Sequence, residues 1–256
     1  MHRTYDLHMS YWGWRDDFNF GSGSGAAADA RSGRIPVVTW GFGDLDLDEI
    51  LDGSSDEFIT SQARRSRDYK HPMFLRFGIE MNTQVDGDYA LRPKDFITAW
   101  HRVHQIFTSV GATNVSWVWS PNIDSDGGTT WDDYYPGDSY VDWIGVDGYN
   151  TSYWGDGNRT FAQIFEPFLA HFAGRKPLMI GEFATDSSFG DAAHWVDDMG
   201  QWVQGNADKY GLRALNWFDV DKQESGNNWR VDQDPAVLEA WKRVVQREIF
   251  GGPGYP

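Results

Sequence analysis

Short apolar runs of strand length alternate with helix-length amphipathic stretches along nearly the whole chain. That alternation restricts the fold to an α/β arrangement with a parallel sheet. Strands are expected at residues 5–12, 35–40, 73–77, 115–119, 141–146, 178–181 and 212–218. Helices are expected at 26–32, 55–69, 93–110, 161–172 and 191–210, with a last one starting at Asp234-Pro235. Ser54 and Glu57 have capping-box spacing before the second of these helices, and Phe96, Ala99, Trp100, Val103, Ile106, Phe107 and Val110 recur at helical period in the third. The glycine- and serine-rich run Gly21-Ser22-Gly23-Ser24-Gly25 reads as a loop before the first helix rather than a linker. No internal repeat or domain boundary is visible, so residues 1–250 read as one domain and 251–256 as a loose tail.

A chain of 256 residues is close to the roughly 250 of a (β/α)₈ barrel. Only seven strands are visible where a closed barrel has eight, so either the first strand lies upstream of this chain or the barrel is open or irregular. Net charge is −16, from 38 acidic and 22 basic residues, which argues against nucleic acid or an anionic membrane as partner. With no cysteine, disulfides and thiol catalysis are excluded. No apolar run has the length of a membrane span, and Met1-His2-Arg3-Thr4 does not begin a signal peptide. A secreted protein would therefore be present here in mature or trimmed form. The 14 Trp, 16 Phe and 11 Tyr serve either the core or stacking on sugar rings, since Trp pairs an apolar face with a polar edge.

Two of the strands end in a glutamate: Met73-Phe74-Leu75-Arg76-Phe77-Gly78-Ile79-Glu80-Met81-Asn82 and Pro177-Leu178-Met179-Ile180-Gly181-Glu182-Phe183. In parallel α/β folds, ligands bind at the carboxyl ends of strands. Two carboxylates delivered there are the minimal equipment for acid/base and nucleophilic work on a glycosidic bond. Arg76, four residues before Glu80, is expected at the strand end supporting carboxylates. Other candidates are weaker. His101 and His104 lack a third metal ligand, and the acidic stretch Asp124-Ser125-Asp126-Gly127-Gly128 lacks EF-hand spacing, so no metal is expected. Asp219, Asp221 and Trp229 either shape a sugar subsite or close a loop. Asn114, Asn150 and Asn158 fit the N-glycosylation pattern. With no phosphate loop and no nucleophile elbow, neither nucleotide cofactor nor serine hydrolysis is expected.

The stretch from Arg76 to Asn82 resembles the arginine-to-His-Glu-Met-Asn motif of glycoside hydrolase family 26, the β-mannanase family. Trp117-Val118-Trp119-Ser120-Pro121-Asn122, Tyr134-Tyr135-Pro136-Gly137-Asp138, Val141 through Tyr149, and Lys176 through Phe183 are similar to further family motifs in the same order. The resemblance spans about Tyr5 to Trp241. It implies a (β/α)₈ barrel lacking its first strand, with Glu80 as acid/base and Glu182 as nucleophile. It also implies Tyr149 as the residue that orients the nucleophile, and Arg76, Asn82, Trp119, Tyr149 and Trp217 as substrate-binding positions. Two departures stand out: Ile79 replaces the family histidine, and Thr83-Gln84-Val85 replaces a Gly-x-Trp. The expected activity is retaining endo-hydrolysis of a β-linked polysaccharide, β-1,4-mannan first, by an extracellular monomer. Another β-glycan (mixed-linkage glucan, xylan or an exopolysaccharide) and a non-catalytic sugar-binding role are the alternatives.

Overall fold

The computed structural model describes residues 5–83, 91–150, 158–222 and 227–250. The expected tail at 251–256 and the departure at Gln84-Val85 lie outside the described residues. The α/β class and the seven parallel strands are as the sequence implies. Contacts divide the chain into two compact units, His2–Ile144 and Gly145–Pro256.

In the first unit, β1 (Leu7–Trp12), β2 (Ile35–Trp40), β3 (Met73–Phe77) and β4 (Val115–Trp119) lie side by side in chain order. Each pairs in parallel with the next, and the first residues of β5 (Trp143–Asn150) pair with β4 through Val118↔Trp143 and Trp119↔Ile144. The connecting helices are α1 (Gly25–Arg31), α2 (Leu47–Asp52), α3 (Asp56–Tyr69) and α4 (Pro93–Val110). Ser24 caps α1 by accepting from the Ala27 N–H, so the glycine-serine run is the loop that starts a helix.

Every residue of β3 is buried, as expected of a parallel strand covered on both faces. The predicted apolar stripe of α4 is buried at Phe96, Ala99, Trp100, Val103 and Phe107, and Gly111 closes the helix at φ 80°. Trp14, Trp40, Trp100 and Trp119 are among the largest fully buried side chains, so much of the tryptophan is core.

Two local expectations change. The capping box at Ser54 and Glu57 does not form, because the unpredicted α2 occupies the chain just before it. Ser54 Oγ donates to the Glu49 carbonyl (3.2 Å), and α3 starts at Asp56 without a side-chain cap. β5 begins at Trp143 and runs to Asn150, later than the expected 141–146. Asp142 is held out of the strand, its carboxylate accepting the Trp117 N–H at 2.8 Å.

The second unit contains the rest of β5, then α5 (Phe161–Phe172), β6 (Leu178–Thr185), α6 (Ala192–Tyr210), β7 (Leu212–Trp217) and α7 (Pro235–Val245). A two-stranded antiparallel ribbon, β8 (Asp221–Lys222) and β9 (Asn227–Asn228), follows β7 and has no counterpart in the sequence reading. The expected stripe of α5 is buried at Phe161, Ile164, Phe165, Phe168 and Phe172. Asp234 caps α7 through the Ala236 and Val237 N–H groups, with Pro235 at its first turn.

Two stability predictions follow from this packing. Phe165, fully buried and 4.7 Å from the Phe161 ring, leaves a cavity when truncated. Phe165→Ala should cost about 3–5 kcal/mol in denaturant unfolding. His104 packs on Trp117 (5.0 Å) and Tyr140 (5.2 Å). Burial holds its imidazolium pKa below the usual histidine value; Asp142 opposes this and His101 adds to it. The unfolded chain therefore binds the proton first, and stability is lost as pH falls below the ordinary histidine range. The melting temperature should drop less between pH 7.5 and 5.5 in His104→Gln than in the parent.

Candidate active site

Glu80 lies just beyond β3, in a turn whose backbone is forced by sequence. Gly78 adopts φ 53°, and a Cβ there would meet Leu45 Cδ2 at 2.9 Å and Phe96 Cε2 at 3.0 Å, so only glycine fits. Glu80 itself sits at φ 53°, a left-handed conformation that costs a non-glycine residue of order 1–3 kcal/mol and clusters at functional sites. The surrounding bonds hold it there. Its N–H donates to the Ser120 carbonyl at 2.9 Å, and its own carbonyl accepts from the Thr83 N–H (3.1 Å) and hydroxyl (3.0 Å).

The Glu80 carboxyl is half-buried and accepts a hydrogen bond from Asn122 Nδ2 at 3.1 Å. The Asn122 amide is itself fixed: its Oδ1 accepts the Asp124 N–H (3.0 Å), and its backbone N–H donates to Asn82 Oδ1 (2.8 Å). Asn82 Nδ2 reaches the carbonyls of Asn122 and Asp124 and the Ser125 hydroxyl, at 2.9, 3.0 and 2.8 Å. Asn82 thus ties the end of β3 to the loop after β4, and it is fully buried. Arg76 is fully buried too. It spans neighbouring strands, donating to Thr39 Oγ1 (3.2 Å) and Ser120 Oγ (3.1 Å) and touching Met9 Sδ (3.2 Å). Ser120 in turn receives the Glu80 N–H, so Arg76 braces the turn that carries the glutamate. Ile79 is buried in the apolar interior, and Trp119 is buried with its ring edge-on to Tyr135 at 4.9 Å.

Glu182 belongs to the other unit. The sequence ends its strand at Gly181, yet β6 continues to Thr185, so the glutamate sits inside the strand. The register explains how a carboxylate is accommodated there. Ile180 pairs with Leu215 and Phe183 with Trp217, so β6 has one residue more than β7 in this interval. A bulge of this kind bends the strand and re-aims a side chain, and bulges are frequent beside active sites.

Glu182 is 5% exposed, and Tyr149 donates its hydroxyl to Glu182 Oε2 at 2.5 Å. A hydrogen bond to a carboxylate fixes its rotamer. Tyr149 is gripped by the rings of Trp229 (5.3 Å) and Phe218 (5.8 Å). Trp217 is half-buried, its Nε1 donating to the Trp229 carbonyl at 2.7 Å and its ring edge-on to Phe183.

The structure thus gathers the predicted residues in two groups: Glu80 with Arg76, Asn82 and Trp119, and Glu182 with Tyr149 and Trp217. Trp229 is buried against Tyr149, and Asp219 accepts the Val231 N–H at 2.8 Å, so both close the loop after β7. Asn122, Ser120, Asp186 and Gln233 were not singled out by sequence. The signal for Asn122 and Asp186 was present, since each is a polar residue just past an apolar strand. His101 and His104 stack on Tyr140 and Trp117 in the first unit.

The chain matches the model of "Glycosyl hydrolase family 26" over residues 51–202, a span that includes Glu80, Tyr149 and Glu182. It is 31% identical over 260 residues to Endoglucanase H of Acetivibrio thermocellus, covering 95% of this chain and 28% of that protein. It is 34% identical over 169 residues to "Mannan endo-1,4-beta-mannosidase A and B" of Caldalkalibacillus mannanilyticus, covering 63% of this chain and 29% of that protein. The chain spans less than a third of the length of either curated relative. In structure it is similar to the catalytic domain of a GH26 endo-β-1,4-mannanase from Bacillus sp. JAMB-750, with TM-score 0.65 at 16% identity, over 88% of this chain and 68% of that one. The family model covers more than half of the chain and Endoglucanase H aligns with 95% of it: the chain belongs to glycosyl hydrolase family 26.

Proposed function

We propose that the protein is a retaining endo-glycoside hydrolase acting on a β-linked polysaccharide, with Glu182 as nucleophile and Glu80 as acid/base. The observation that carries this reading is the Tyr149–Glu182 hydrogen bond on a bulged, buried strand. A carboxylate held this way is fixed in orientation, as a nucleophile needs.

In the first step, a Glu182 oxygen bonds to the anomeric carbon while the glycosidic C–O bond breaks, and Glu80 gives its proton to the departing oxygen. In the second, Glu80 takes a proton from water, whose oxygen displaces Glu182 from the sugar. Two inversions at the same carbon return the original configuration. Asn122 holds the Glu80 carboxyl through both steps. Arg76 and Asn82 act through the backbone they brace, and Tyr149 orients Glu182.

β-1,4-Mannan is the first substrate expected, on family grounds. A second reading, a β-1,4-linked or mixed-linkage glucan, is favoured by the endoglucanase relative that aligns with 95% of the chain. It is also favoured by Ile79, a buried apolar side chain where the resemblance expects a histidine. A polymeric substrate places the enzyme outside the cell, where it acts as a monomer. Among the described residues no helix is long and apolar enough to cross a membrane.

Reducing-sugar release from mannan, mixed-linkage glucan, carboxymethylcellulose and xylan tests the substrate. One glycan should be degraded, and Glu182→Ala should lower that rate by at least about 10⁴-fold, as loss of a nucleophile does. Sugar binding without release from any glycan would replace the enzyme by a binding protein. The stereochemistry has its own readout: ¹H NMR within the first minutes should show the β-anomer of the new reducing end, and an α-anomer would mean inversion.

A further inference from the structure

A buried carboxylate that the mechanism does not use lies four residues after Glu182. Asp186, at the end of β6, is 5% exposed. Burying a charged group is costly unless its bonds are replaced, and here two backbone N–H groups replace them. Ser188 N–H donates to Oδ1 at 2.7 Å, capping the short helical turn Ser187–Phe189. Asn228 N–H donates to Oδ2, which reaches into β9. The β8–β9 ribbon is only two residues per strand, too short to hold itself in place. This bond and the next residue, Trp229, hold it on the side that faces Tyr149, while Asp219 ties the same loop at the Val231 N–H. Trp229 donates its N–H to the Val220 carbonyl (2.9 Å) and accepts from Trp217 Nε1 (2.7 Å). The Trp229 ring packs on Tyr149 at 5.3 Å, and Tyr149 donates to Glu182.

We propose that Asp186 is a positioning residue for the nucleophile: its carboxylate clamps the Asn228 N–H, which seats Trp229 against Tyr149 and fixes the hydroxyl that Tyr149 donates to Glu182. This rests on the reading of Glu182 as nucleophile. A charged acceptor is suited to the task because both oxygens only accept, and bonds from N–H to a carboxylate are about twice as strong as those between neutral groups. An amide at this position would turn an NH₂ toward one of the two N–H groups. Gln233 makes a separate tie in the same loop, from its Nε2 to the Thr185 carbonyl (2.9 Å) and from the Ser187 N–H to its Oε1 (2.6 Å). That second tie also reaches the Arg230 carbonyl (2.9 Å) but leaves the Asp186 carboxylate and its Asn228 N–H bond alone, which makes Gln233→Ala the comparison for loop closure.

The test is a double-mutant cycle of Asp186→Asn and Tyr149→Phe, read by kinetics and by amide exchange at residues 227–231. Asp186→Asn should lower kcat by about tenfold to a hundredfold, the scale of a small misplacement at a reacting group, with KM little changed. Tyr149→Phe should show the same loss of kcat at little-changed KM, because both changes release the orientation of the carboxylate. In the Tyr149→Phe background, Asp186→Asn should cost less than about twofold more, because both changes break one chain of contacts. Gln233→Ala should leave kcat and KM unchanged. Should Asp186→Asn fail to fold, Asn228→Pro removes the same N–H and carries the same expectations.

Losses that multiply, or wild-type kcat in Asp186→Asn, would overturn the proposal. If the parent chain degrades no glycan, the functional reading fails by itself, and amide exchange then decides the clamp. Faster exchange at 227–231 in Asp186→Asn supports it, and unchanged exchange overturns it.

Discussion

The second unit depends on one hydrogen bond, from the Tyr149 hydroxyl to Glu182. An almost buried carboxylate in the interior of a strand is an unfavourable place for charge, and three local features make it tenable. The bulge between Ile180 and Phe183 turns the side chain without ending the strand. The phenol supplies a donor at 2.5 Å in place of water. Trp229 and Phe218 then confine the phenol, so the donor is held by packing. Each is local in space but distant in sequence, since Tyr149, Glu182 and Trp229 come from three separate segments.

Glu80 is positioned by a different device. No bulge is available at the end of β3, so the backbone itself takes an uncommon conformation, first at Gly78 and then at Glu80. The strain is offset by polar contacts in which Asn82 and Asn122 bond each other and the Ser120 carbonyl accepts the Glu80 N–H. Buried amides are well suited to this, having two donors and an acceptor in a fixed plane. Arg76 completes the arrangement from below, using its long side chain to reach across the sheet to β2 and to the residue after β4. One glutamate is thus held by a phenol on a bent strand, and the other by a strained turn and a buried amide lattice.

Much of this was legible in the sequence, for identifiable reasons. Strand–helix alternation, the stripes of α4 and α5, and the caps at Gly111, Asp191 and Asp234 follow from periodicity and capping chemistry, which are local. The glutamates were visible as polar residues closing apolar runs. The length of β6 was not, because reading by pattern stops a strand at its first charge and a bulge leaves no local mark. Helix α2 was hidden by its shortness and by the acidic run Asp44 to Asp52, which reads as loop. The β8–β9 ribbon was invisible for a related reason: two-residue strands have no period. Trp229 was undecided between sugar platform and loop closure until its burial against Tyr149 was seen.

In the proposed mechanism Glu182 forms the covalent bond to sugar. Activated 2-deoxy-2-fluoro β-mannobioside and β-cellobioside, incubated with the protein and followed by mass spectrometry of proteolytic peptides, read that bond directly. A single glycosyl adduct on Glu182, from one of the two reagents and absent in Glu182→Gln, is the predicted result. An adduct on another carboxylate, or time-dependent inactivation without any adduct, would contradict the assignment of the nucleophile.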